Sequence, residues 1–418
     1  MKVSRTISIV VHKRTTKHGL SYASCCLGKS SAIRAILIVF ACLAMTLAGS
    51  GCAMFMISCS KIYIPFTAQA VDEQSGLAVL GAKVYSGEFA TRDPMLSDRL
   101  ICEADTEGNL SGQASAFIHT DSPYSPKFRE KFRQIRIVIT APGYAPHALY
   151  VPIPEAEGVA VELGAIPLKS VTESTQFDAR RLDFTVAGAP GFIIMPPGKE
   201  FGGYHPWLWY APTFIGSLPN ADHDWYFKPL LEAGFFIAGV EVGESFGSPK
   251  GTAAYQSFYE HVVEAYNLST KPVLLPQSRG GLMLYNWAVA HPDSVAAVAG
   301  IYTVCSFTSY PGVDKAAPAY EMTPEALQAA LKDHDPIERL APLAKAKVPI
   351  FHIHGDVDTV VPIEANAGAL VARYRALGGE AEIKIVPGKG HEVCDEFFKD
   401  DEFLGFILRQ AQGGADDE

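Results

Sequence analysis

Three residue types that together can break an acyl bond stand at separate points of this sequence. Ser278 closes the apolar run of "PVLLPQSRGG" (272–281) and is followed by Arg279 and two glycines. Asp358 lies in "FHIHGDVDTVVP", and His391 lies further on in "PGKGHEV". A serine hydroxyl is a weak nucleophile until an imidazole takes its proton. A carboxylate then fixes the imidazole tautomer and steadies the imidazolium that forms. A lone Ser-x-Gly says little, but here each residue follows its own short β-type run. In a parallel sheet all three would emerge at the carboxyl ends of the strands, where sites form. Asp356 is the rival carboxylate. His352 and His354 fall on or at the end of a strand and read as structural.

The elements needed to position these residues are legible. "FFIAGVEV" (235–242), "PVLL" (272–275), "VAAVAGI" (295–301), "VPIFHIH" (348–354) and "AEIKIV" (381–386) are short, apolar, β-branched runs separated by helical stretches. That alternation means a parallel sheet covered on both faces.

With its Ser, Asp, His order, the chain from about 180 to 411 resembles the α/β-hydrolase superfamily. Within it the closest likeness is to the prolyl oligopeptidase and dienelactone hydrolase branches, which share the His-Gly-x-x-Asp-x-x-Val-Pro box. Gly280 keeps the small residue after the nucleophile of a G-x-S-x-G elbow, while Pro276 replaces the one before it. The resemblance implies an α/β fold with a mostly parallel sheet, Ser278 as nucleophile, His391 as base, Asp358 as its acid partner, and neither cofactor nor metal. It also implies an oxyanion site made in part by the Arg279 N–H. The third strand, "PWLWYAP", puts Tyr210 and Ala211 where relatives often carry His-Gly, and Gln277 adjoins the same place. The Arg279 side chain is a further candidate, since glucuronoyl esterases also carry Ser-Arg at the elbow; an ion pair with a nearby acid is the alternative. Glu244 could touch substrate or serve the structure. Trp207, Trp209, Tyr210 and Tyr302 are expected to end near the site or to pack beneath it.

At 418 residues the chain is long enough for two domains. Residues 61–170 carry short β-rich runs ("YIPFTAQAVD", "AVLGAKVYSG", "IRIVITAPGY", "VAVELGAIPL") and the turns "DEQSG" and "DTEGN". They predict a small β-sandwich and resemble the carboxypeptidase regulatory-like domain, which implies a spacer or accessory module. A polar insertion, "DSPYSPKFREKFRQ", interrupts the pattern, and an acidic tail follows residue 411. After the sixth hydrolase strand, 310–336 is where caps are inserted; Thr323-Pro324 predicts a helix start there.

The first 60 residues read as a targeting segment. Basic residues precede the uncharged run Ala35–Ala48 and then "GSGC", ending at Cys52. "LAGSGC" resembles the lipobox of bacterial lipoproteins, with Gly49 where leucine is usual; Cys59 is a poorer second candidate. An uncleaved membrane anchor and a cleaved soluble form are the alternatives, and all three export the rest. Beyond residue 59 only Cys102, Cys305 and Cys394 remain, too few for a disulfide scaffold; Cys305 and Cys394 either pair or stay free. The net charge of −10 argues against a nucleic-acid partner, which needs a basic face.

The expectation is thus an exported, membrane-tethered serine hydrolase of small-molecule or carbohydrate esters. A prolyl-oligopeptidase-like peptidase is the alternative, although the residues before the hydrolase part are too few for a propeller. A non-catalytic binding protein on the same scaffold is a third possibility.

Overall fold

The nucleophile, acid and base candidates all follow strands of one nine-stranded sheet. The computed structural model of the chain describes residues 60–86, 100–118, 134–156, 158–198 and 205–413. Cys52, Cys59, the apolar run before them, residues 121–133 of the polar insertion and residues 414–418 lie outside these. No helix of the described residues is long and apolar enough to cross a membrane.

The amino-terminal strands are β1 (Ser60–Asp72), β2 (Lys83–Ser86), β3 (Leu100–Glu103), β4 (Asn109–Ile118), β5 (Gln134–Thr140), β6 (His147–Pro152) and β7 (Val161–Leu168). They form a three-stranded sheet, β4-β1-β7, and a four-stranded sheet, β3-β2-β5-β6. The two share one core, with Ile64, Phe66 and Leu110 from the first meeting Val84, Ile137 and Val151 from the second. Turn chemistry sets the ends: Asp105 Oδ1 accepts the Glu107 and Asn109 amides, and Gly108 takes a positive φ of 76°.

The large sheet follows, with β8 (Thr172–Gln176), β9 (Ala179–Val186), β10 (Ala189–Met195), β11 (Trp207–Ala211), β12 (Phe236–Val240), β13 (Val273–Pro276), β14 (Ala297–Ile301), β15 (Ile350–Gly355) and β16 (Ala381–Val386). Its order is β16-β15-β14-β13-β11-β12-β10-β9-β8. The pairings from β12 to β16 are parallel, and β10 is antiparallel to both its neighbours. This is the α/β-hydrolase fold. Its sheet begins at Thr172 rather than near 180, because "TESTQ" is a polar edge strand without the apolar signature of a covered one.

Strands β11, β12, β14 and β15 are buried at every residue, as a sheet covered on both faces requires. Alternation divides their side chains between two cores. Trp207, Trp209 and Ala211 face α2 (Pro249–Tyr266), α3 (Gly280–Ala290) and α5 (Ala367–Ala376). Leu208 and Tyr210 face α1 (Asp224–Glu232) and α7 (Asp401–Gly413). In the cap region Thr323 accepts the Ala326 amide and starts α4 (Pro324–Ala329), as capping logic predicts.

Candidate active site

Ser278 sits on the turn between β13 and α3 with φ 49°, a left-handed conformation costing about 1–2 kcal/mol for a residue with a side chain. Its neighbours hold that turn. The Gln277 N–H donates to Ala211 O at 2.7 Å, and the Ser278 N–H donates to Ile301 O at 3.0 Å. The two following glycines are there for space. A Cβ on Gly280 would lie 2.1 Å from Ala211 O, and one on Gly281 would lie 2.1 Å from Val304 O. Pro276 is accommodated as the last residue of β13, where its carbonyl accepts the Thr303 hydroxyl at 3.2 Å.

His391 reaches Ser278 from the loop after β16, with Nε2 2.9 Å from Ser278 Oγ. Its Nδ1 lies 2.8 Å from Asp358 Oδ2. The other carboxylate oxygen, Oδ1, accepts the Val360 and Val361 amides at 2.9 and 2.8 Å. The Asp358 side chain is fully buried and that of His391 is 19% exposed. Asp356 does not compete, because its Oδ1 accepts the Gly388 amide at 2.6 Å and so shapes the loop before His391. His354 donates from Nε2 to Val361 O at 2.8 Å, and burial holds its pKa below the ordinary range. His352 is buried and bonded to the Tyr285 hydroxyl, and burial pushes its pKa down to about 3. His354 thus supports the acid loop from beneath, whereas His352 is tied to Tyr285 of α3.

The other expected site residues are placed differently. Gln277, expected to face substrate, turns inward. Its Oε1 accepts from Tyr210 Oη at 2.8 Å and from His223 Nε2 at 2.9 Å, while its Nε2 donates to Tyr302 Oη at 2.8 Å. The Tyr210 hydroxyl is therefore used inside the core. Ala211 offers its carbonyl to the elbow. Trp207, Trp209 and Tyr210 are at most 1% exposed and line no cleft; their alternation on a fully covered strand makes them packing residues. Tyr302 is 3% exposed, yet its ring centroid lies 4.5 Å from that of His391.

Past β11, Pro212 has no N–H, while the Phe214 and Ile215 amides are bonded to Leu218 O and Glu241 Oε2. That leaves the Thr213 N–H, with the Arg279 N–H, unbonded among the described residues. Thr213 was not among the expected site residues, because the sequence does not say where the strand ends. The Arg279 side chain pairs with Glu244 and lies over the Phe214 ring, 5.0 Å from its centroid. Cys102, Cys305 and Cys394 are free.

The model of the prolyl oligopeptidase family matches residues 260–412, a span that holds Ser278, Asp358 and His391. No curated protein matches the chain. Among solved structures it is similar to an S-formylglutathione hydrolase from Agrobacterium tumefaciens, at 11% identity and a TM-score of 0.46 over 58% of this chain and 99% of that one. Puromycin hydrolase matches at 15% identity and a TM-score of 0.44 over 68% of this chain; the chain spans 46% of that protein's length. A truncated carbohydrate esterase from gut microbiota matches at 19% identity and a TM-score of 0.42, over 53% and 90%. Fold and site together define a serine hydrolase of the α/β-hydrolase superfamily.

Proposed function

We propose that this serine hydrolase cleaves carboxylic esters through an acyl-enzyme on Ser278. The observation that carries the reading is the relay from Ser278 Oγ through His391 to Asp358, at 2.9 and 2.8 Å. His391 Nε2 takes the hydroxyl proton as Oγ attacks the acyl carbon. The resulting imidazolium is held by Asp358, and the same proton goes to the departing alkoxide. The Arg279 and Thr213 amides are the proposed oxyanion donors, with the Arg279 side chain left to its pair with Glu244. Water, deprotonated by His391, then releases the acid.

An ester is preferred over a peptide because an extended chain needs to be gripped. Strands β1 to β7 form a two-sheet module and not the blades of a propeller. The prolyl oligopeptidase match over 260–412 favours the second reading, a peptidase. Fluorophosphonate labelling, followed by kcat/KM for an aryl acetate and for a prolyl or alanyl anilide, tests both. We expect Ser278→Ala to abolish labelling without unfolding the chain, and the acetate to be the better substrate relative to its uncatalysed rate. Labelling that survives Ser278→Ala would remove the nucleophile. Preference for the anilide would replace esterase by peptidase.

A further inference from the structure

The imidazole of His391 is carried by an irregular loop, so its bond to Asp358 fixes one edge of the ring but not its plane. A second contact does that. The Tyr302 ring lies 4.5 Å from the imidazole, centroid to centroid, with the planes inclined by 60°. Tyr302 is itself held on every side. Phe397 and Phe398 of α6 (Asp395–Phe398) flank its ring at 5.3 and 6.1 Å. Its N–H donates to Ile353 O of β15 at 2.8 Å, and its hydroxyl accepts from Gln277 Nε2 at 2.8 Å. Its φ is +32°, a strained value for an aromatic residue and one that such packing must enforce.

The hydrogen bonds behind this ring form a directed chain. His223 Nε2 lies 2.9 Å from Gln277 Oε1, an acceptor that calls for the imidazole proton on Nε2, while Nδ1 faces the Asn220 N–H, carbonyl and side-chain oxygen at 3.4, 3.2 and 3.2 Å. Nε2 donates to Gln277 Oε1, and Gln277 Nε2 donates to Tyr302 Oη. Gln277 is the residue before Ser278, and Tyr302 touches the residue bonded to Ser278. The nucleophile and its base are thus braced by one amide side chain in a buried core, where such a network is rigid when fully paired.

We propose that Tyr302 is a positioning residue that sets the plane of the His391 imidazole, and that Gln277 holds it there. The proposal rests on the reading of Ser278 and His391 given above. It assigns the ring of Tyr302 the main part and its hydroxyl an anchoring one.

Two variants separate these parts. Tyr302→Phe keeps the ring; Tyr302→Met fills the space with an adaptable side chain. A base displaced by about 1 Å costs on the order of 10²-fold in rate. Tyr302→Met should therefore lose about 10²-fold in kcat for an aryl acetate, and as much in the fluorophosphonate labelling rate. KM should stay within about twofold, since ground-state binding is untouched. Tyr302→Phe should recover most of the loss. If Tyr302→Met does not fold, Tyr302→Leu should give the same loss in kcat at unchanged KM. Gln277→Met, which removes the anchor that Tyr302→Phe also lacks, should lower kcat only about as far as Tyr302→Phe does. The proposal is overturned if folded Tyr302→Met turns over like the wild type, if its loss lies in KM, or if Tyr302→Phe is as impaired. An unaltered kcat in Gln277→Met would likewise remove the role given to Gln277. Wild-type labelling that does not depend on Ser278 would instead defeat the underlying reading, and this proposal with it.

Discussion

Asp358 is the residue whose surroundings leave it least freedom. Its Oδ1 accepts two backbone amides and its Oδ2 faces His391 Nδ1. That pattern decides what an amide would do in its place. In Asp358→Asn the amide oxygen must take the two N–H groups, because an NH₂ group there would face donors. The NH₂ group is then turned to His391 and forces its Nδ1 to accept. The proton moves to Nε2, where it points at Ser278, and the imidazole can no longer act as base. Loss of the right tautomer in such a relay costs about 10⁴-fold in kcat. Asp358→Asn should show a loss of that order with near-normal stability, measured as ester turnover beside a melting curve. Retention of a tenth of wild-type activity would show that the carboxylate does not set the tautomer. Asp356→Asn offers the contrast, since the Asp356 carboxylate meets only the Gly388 amide among the described residues.

At the scale of elements, the site depends on how closely α3 crosses the end of β11. Buried along nearly its whole length, α3 has no solvent side toward which to retreat. Gly280 meets the Ala211 carbonyl at a distance that no Cβ tolerates. Gly280→Ala must push the helix off the strand or unwind the elbow. Overpacking of this kind costs about 1–3 kcal/mol and can cost more. For a domain of this size the expected fall in Tm is roughly 2–12 °C. Labelling of the still-folded protein should slow, because Ser278 is bonded to the same turn. Thermal denaturation and labelling of one preparation check both. An unchanged Tm would mean that helix and strand do not approach as described.

At the scale of the molecule, the amino-terminal sheets and the hydrolase sheet share a seam. Arg136 of β5 donates to the Glu264 carbonyl of α2. Within the cap region lies one of the groups that link stability to pH. Asp335 is 2% exposed and accepts the Ser306 hydroxyl at 2.5 Å. Burial pushes its pKa up from 3.8 to about 6, against the opposing bonds from Ser306 and the Phe307 amide. Between these values the folded chain binds more protons at this site than the unfolded one. Stability therefore falls as pH rises from about 4 to about 6, then levels, by on the order of 2–3 kcal/mol from this group. Asp335→Asn has nothing to titrate, so it should lose that fall while keeping a polar partner for Ser306. Denaturant midpoints at pH 4.5 and 7.5 for both proteins measure the difference. Equal pH dependence in the two would exclude Asp335 as its source.

The sequence alone determined the class of fold and the three residues whose chemistry belongs together. Period and composition are local properties: apolar β-branched runs between helices specify a covered parallel sheet, and residues following successive strands must share one end of it. It also named the Gly-Gly step without showing its reason, which is the passage of α3 over Ala211 and Val304. Only the tertiary structure decided where side chains point. Trp207, Trp209 and Tyr210 read equally well as site or core, and burial on both faces of β11 makes them core. Gln277 adjoins the nucleophile in sequence but faces the opposite way, because the turn that exposes Ser278 directs its predecessor into the interior. His223 and Thr213 carry no local signal, since the bonds of the one and the role proposed for the other exist only once distant segments meet. Tyr302 shares a brace with Ser278 for the same reason: contacts between strands are set by sheet order, which no stretch of sequence contains.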